Sequence, residues 1–183
     1  MDIWKSIKPS RVTPESFVVL IEIPQGSKIK CVFDESTQSL LVDRILHTST
    51  HYPANYGLIP RTKAEDGDSI NALVMCSEVL HPLSLVECYP VGMVSMTDSG
   101  TTDEKIIAVP YGDPKFNGYR DISELPEHIV KELSHFFLVY KTLEGMVTAN
   151  IEFGNSVVAK NSLLRSILRY KETVDTGLSL TPS

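Results

Sequence analysis

The chain has 183 residues, 42% apolar and 22% charged, with a formal net charge of −6. That length suits one domain with a real core; the negative balance argues against a nucleic-acid partner, and no uncharged apolar run approaches the ~18 residues of a membrane helix. MDIWKSIKPSR at the N-terminus lacks the apolar segment of a secretory signal, so a cytoplasmic protein is expected, with Cys31, Cys76 and Cys88 as reduced core thiols.

Residues 1–15 read as irregular, with Trp4 and Ile7 docking on the body. FVVLIEI (17–23) is β-rich and apolar almost throughout, a buried strand that Pro24 ends. IKCVF (29–33) and SLLVD (39–43) are the next two strands. HTSTHYPANYG (47–57) is polar and broken by Pro53 and Gly57, so it reads as an ordered loop. INALVMC (70–76), LVECYPVGMVSM (85–96) and EKIIAVP (104–110) are further strands, the long one bent at Pro90 and Gly92. Between 123 and 145 apolar residues recur at Ile129, Leu133, Phe136, Phe137, Tyr140 and Leu143, which is helical spacing. Ser123 is the expected cap and Gly145 the expected stop. VTANIEF (147–153) is one more strand, SVVAKNSLLRSILRYKETV (156–174) a second helix, and DTGLSLTPS a tail. This order predicts an α+β fold, a closed barrel covered by two α-helices. It forms a single domain over 1–183, with 1–14 and 175–183 peripheral.

Two acidic clusters fall at strand ends: Asp66, Asp68 and Asn71 in EDGDSIN, and Asp98, Asp103 and Lys105 in TDSGTTDEK. Glu22 lies inside an apolar strand, where a carboxylate needs a partner or a cation. Hard oxygen donors favour Mg²⁺ or Mn²⁺ over zinc. Each piece alone has an ordinary reading: Asp-Gly is a common turn, TDSGTTD suits a solvated loop, and Glu22 fits a half-exposed edge strand. From Asp66 onward the spacing fails as an EF-hand, and the chain has no P-loop, nucleophile elbow or HExxH motif. Lys30 and Arg44 end strands, Tyr52 and Tyr56 flank the proline loop, and Tyr140-Lys141 closes the first helix. Tyr140 also continues the apolar stripe, and a lysine there suits the helix dipole. Acids, lysines, an arginine and tyrosines together suit a metal-bridged polyanion, with phosphate the obvious candidate.

The segments VVLIEIP, LLVDR, YPANYG, DGD, VGMVSMTDSGTTDEKIIAVP, DISELP and HFFLVYKTLE, in this order, resemble the soluble family I inorganic pyrophosphatases over about residues 15 to 170. The resemblance implies a five-stranded OB-like barrel, hydrolysis of pyrophosphate to two phosphates, several Mg²⁺ per site and a homohexamer. It puts Asp66, Asn71 and Asp103 on an activating metal. Asp68 falls on the metal-bound water whose proton it takes, and Glu22, Asp98 and Asp103 on metals that arrive with substrate. Lys30, Arg44, Tyr140 and Lys141 match phosphate-binding side chains, Tyr56 and Lys105 polar groups lining the cavity, and His135 an interface position. The chain departs from the family pattern: Asn71 replaces the third aspartate of the D-x-D-P-x-D signature, Ser69 its proline, and Val32 a glutamate. Met146 stands at a frequent lysine, and the tryptophan of that segment is missing. The retained acids and Lys141 favour a working enzyme; Asn71, Val32 and Met146 motivate the alternative, a non-catalytic metal- and phosphate-binding relative.

Overall fold

The computed structural model describes residues 3–98 and 100–175. FVVLIEI forms strand β1 (Phe17–Ile23), buried at every position. It is apolar throughout because both of its faces are covered. Phe17, Val19 and Ile21 pack with Ala159, Leu163 and Ile167 of the last helix, while Leu20 packs with Trp4, Phe33 and Tyr170. Trp4 and Ile7 do dock on the body, Trp4 from a short helix α1 (Ile3–Ser6) where irregular chain is expected.

Strands β2 (Ile29–Asp34) and β3 (Ser39–Ile45) form an antiparallel hairpin that is a sheet of its own, bulged after Lys30. The remaining strands join β1: β4 (Asn55–Leu58), β5 (Asn71–Val74), β6 (Leu85–Asp98), β7 (Thr101–Pro110) and β8 (Thr148–Asn155). Their order is β1-β4-β5-β7-β6-β8, with β5 and β7 parallel and the other pairs antiparallel. Because β1 also pairs with β6, the pairings return to their start. The register shift between Pro90 and Gly92 lets β6 serve several neighbours. Leu85–Cys88 pairs with β1, Gly92–Asp98 pairs with β8, and β7 runs along both halves.

One expectation fails in the segment 47–57. Asn55, Tyr56 and Gly57 begin a strand rather than end a loop. Gly57 breaks nothing there; it permits a close approach, since a Cβ at this position would lie 2.0 Å from the Leu20 carbonyl oxygen. The buried Asn55 amide completes the local order, its Oδ1 accepting from the Gln25 and Leu80 N–H groups at 3.0 and 2.9 Å.

Helix α2 (Glu127–Val139) is shorter than the periodicity predicts, and α3 (Ser156–Asp175) matches its expected span. Ser123 does not cap α2. Leu125, which precedes a proline, is held extended, and the helix starts only after Pro126. At the other end the chain tightens into a 3-10 turn, Thr142–Glu144, that Gly145 closes at φ 77. Leu133, Phe136 and Phe137 of α2 cover one core cluster, with Tyr52, Tyr56 and Met96. Residues 176–183 of the expected tail lie outside the described residues. The cysteines are free, but only Cys88 is buried; Cys31 and Cys76 are partly exposed and are not core thiols in the expected sense.

Asp121 caps the 3-10 turn Ile122–Glu124 that precedes α2, while α2 itself has no side-chain cap. Its Oδ1 accepts from the Ser123 N–H at 3.1 Å and its Oδ2 from the Ser156 N–H, the start of α3, at 2.9 Å. These donors hold its carboxyl down at about 2. A depressed carboxylate contributes stability above the unfolded value, ~4, and loses it as pH falls through the folded one. Asp121→Ala is expected to cost about 1 kcal/mol at neutral pH. In acid titration followed by circular dichroism, the gap between the two proteins closes as pH falls from ~4 to about 2.

Candidate active site

The site begins with a buried pair of charges, Glu22 on β1 and Lys105 on β7. Glu22 is 4% exposed, and its Oε1 accepts the Phe33 N–H at 2.8 Å. Burial pushes its carboxyl up to about 7, against the pull of that N–H, Lys30 and Lys105, while Asp68 pushes the same way. Glu22 is therefore no half-exposed edge residue. Lys105 is 5% exposed. Its Nζ donates to Asp103 at 3.0 Å and to the Tyr56 hydroxyl at 3.1 Å. Burial opposes the ammonium charge, yet Asp103 offsets this and holds the pKa above its ordinary value. Burial, then Asp103, Glu22 and Asp66, keep Tyr56 protonated.

The acidic loop approaches from the side of α3. Gly67, at φ 98, lets the chain turn between two aspartates, and the Asp68 N–H donates to Asp66 Oδ1 at 3.0 Å. Bonds from the Lys63 N–H to the Ser166 carbonyl and from Arg169 to Glu65 moor the loop on α3 at 2.9 and 3.1 Å. Burial and the neighbouring Asp66 raise the Asp68 carboxyl, and Lys30 lowers it. Asn71 stands in register with Lys105, and its Nδ2 donates to the Gly57 carbonyl at 3.4 Å. An amide here serves the strand backbone and still offers an oxygen; a carboxylate has no N–H for the first task.

The cations come from two further elements. The hairpin presents Lys30 and Arg44 as a cross-strand pair. Asp43 Oδ2 lies 3.3 Å from Lys30 Nζ and 2.7 Å from Arg44 Nη1. Glu144 Oε1 lies 2.5 Å from Arg44 Nε. Lys141, just past α2, is paired with Asp98 at the end of β6 and lies over the Tyr140 ring. Burial raises the Tyr140 phenol, with Lys105 pulling the other way. Tyr140 also packs on Phe136 and Phe137, so the core and site readings both apply to it.

Contacts and through-space charge interactions thus link Glu22, Lys30, Arg44, Tyr56, Asp66, Asp68, Asp98, Asp103, Lys105, Tyr140 and Lys141, with Asn71 tied in by strand register. Sequence reasoning misses two neighbours, Asp43 and Glu144, the counter-charges of Lys30 and Arg44. Asp43 carries a readable signal as the acid beside Arg44; Glu144 carries none beyond a carboxylate before a glycine. Tyr52, legible only as a tyrosine beside the proline loop, packs on Tyr56 and Phe136 and feels Lys105, Arg44 and Glu22.

The donors suit a hard divalent cation: carboxylate oxygens and one amide, with no thiolate or imidazole among them. Burial and like charge raise Glu22 and Asp68, a condition that a cation relieves. The fit is chemical rather than a ready-made cage. Among the described residues no group of three or more His, Cys, Asp or Glu side chains is arranged to hold an ion, and Asp98 and Asp103 lean on Lys141 and Lys105.

A cluster of acids, lysines and an arginine on an α+β scaffold has the chemistry to suit a polyanion. The inorganic pyrophosphatase family model matches residues 19–171. An inorganic pyrophosphatase of Aquifex pyrophilus is 44% identical over 143 residues, 77% of this chain and 81% of that protein. One of Sulfolobus acidocaldarius is 41% identical over 166 residues, 89% of this chain and 96% of that protein. The solved pyrophosphatase of Helicobacter pylori superposes with a TM-score of 0.85 at 36% identity, covering 90% of this chain and 98% of that one. The chain belongs to the inorganic pyrophosphatase family.

Removing the buried ammonium tests the charge balance. Lys105→Met leaves Glu22 and Asp103 without their inner counter-charge and is expected to cost about 3–5 kcal/mol. Urea unfolding of the metal-free protein measures it.

Proposed function

We propose that this chain hydrolyses inorganic pyrophosphate to two orthophosphates, using Mg²⁺, or Mn²⁺ in its place, held by Glu22, Asp66, Asp68, Asn71, Asp98 and Asp103. The observation that carries this reading is the meeting of Lys30, Lys105 and Asp103 with Glu22 and Asp68 in a chain of this family. A bound divalent cation supplies an acidified water and offsets phosphate charge. Asp68 takes the proton of the attacking water; burial and Asp66 make its carboxylate more basic than usual. Lys30, Arg44, Lys141 and Tyr140 bind phosphoryl oxygens, and Tyr56 and Lys105 hold the inner wall. The new P–O bond forms from water as the bond to the bridging oxygen breaks, and the cationic side chains stabilise the charge that gathers on the leaving phosphate.

The non-catalytic alternative is not favoured, since the curated relatives carry the name inorganic pyrophosphatase. We further infer that the ring of strand pairings is a closed five-stranded OB-like barrel, and that 1–183 is one domain. We read the protein as cytoplasmic, with no nucleic-acid or membrane partner, and as a homohexamer that uses the α2 face bearing His135.

Phosphate release from pyrophosphate, followed as Mg²⁺ rises from micromolar to tens of millimolar, tests the activity. Wild type is expected to turn over, and Asp68→Asn to lose ~10²–10⁴-fold in kcat. A folded wild type that releases nothing refutes the reading. Asn71→Asp is expected to bind Mg²⁺ about 10- to 100-fold more tightly by calorimetry, because ligand charge sets such affinities. The same variant melts lower without metal, having lost its N–H to the Gly57 carbonyl.

A further inference from the structure

We propose that Glu144 is a positioning residue for Arg44: it fixes the guanidinium so that the Nη2 edge is presented to a phosphoryl group. This rests on the pyrophosphate reading above. The Glu144 side chain is 6% exposed, and its Oε1 lies 2.5 Å from Arg44 Nε. Asp43 engages Nη1 at 2.7 Å. Among the described residues Nη2 is buried with no hydrogen-bond partner. Of the three nitrogens of the planar guanidinium, Nη1 is hydrogen-bonded to a carboxylate, Nε lies against one without a hydrogen bond, and Nη2 is left over. The Nε contact is an ion pair rather than a well-directed hydrogen bond, so Glu144 acts through charge and proximity.

The place of Glu144 in the chain gives the contact its purpose. The hairpin that carries Lys30 and Arg44 is not part of the main sheet. Lys141 comes from elsewhere, at the head of the 3-10 turn that Glu144 ends. The Arg44–Glu144 pair joins hairpin to turn, so it sets the separation of cations that must grip one small anion. A buried carboxylate with Oε2 unpartnered is a poor stabiliser by itself. Its value here lies in orientation.

A double-mutant cycle on pyrophosphate hydrolysis tests this, with Glu144→Ala, Arg44→Lys and the double variant at one saturating Mg²⁺ concentration. Glu144→Ala is expected to raise KM about tenfold, with a smaller change in kcat, because misplacing a binding group weakens capture of the anion. Arg44→Lys removes the fork, and adding Glu144→Ala to it changes KM no further. Glu144→Gln, which keeps an oxygen at Nε, falls between wild type and Glu144→Ala; if the alanine variant does not fold, the cycle is run with glutamine. An unchanged KM, or effects of the two substitutions that simply add, overturns the positioning role while leaving the activity standing. A wild type without phosphate release overturns both.

Discussion

A buried positive charge organises this protein. Lys105 sits inside the sheet with Asp103, Tyr56 and Glu22 around it. An ammonium is stable there only if carboxylates surround it. That requirement draws β1, β4 and β7 to one point, and the point is the floor of the candidate site. The same arrangement recurs at the rim. Asp43 serves Lys30 and Arg44 together, and Asp98 meets Lys141. The cluster's Lys30, Arg44, Lys105 and Lys141 thus each have a carboxylate beside them.

The strands that announce themselves are those with a simple apolar signal. Phe17–Ile23 reads as buried on both faces because it is, between α3 and the Trp4 cluster. Asn55–Leu58 is illegible in the sequence: its glycine looks like a breaker, and only the approach of Leu20 explains it. The start of α2 differs from its expected place because a proline bars the helical conformation from the residue before it. The candidate site's acids and cations are legible as clusters at strand ends, and the family resemblance gathers them into one expected site. Asp43 is flagged only by its neighbour Arg44, and Glu144 by nothing, because a counter-charge is defined by what lies beside it in space.

The departures from the family pattern acquire local reasons unevenly. Asn71 uses its N–H on the Gly57 carbonyl, a task no carboxylate performs. Val32 pairs across the hairpin with Leu41, and both are exposed. Nothing in the structure explains Met146.

The pairing of β1 with β6 has a consequence for how the molecule comes into being. Phe17 meets Cys88 and Leu20 meets Leu85, partners far apart along the chain. Such contacts carry a loop-closure cost that neighbouring strands do not, and chains rich in them fold slowly. Glu22 lies on one side of that seam and Asp98 on the other. Closing that seam completes the ring of pairings on which both residues sit.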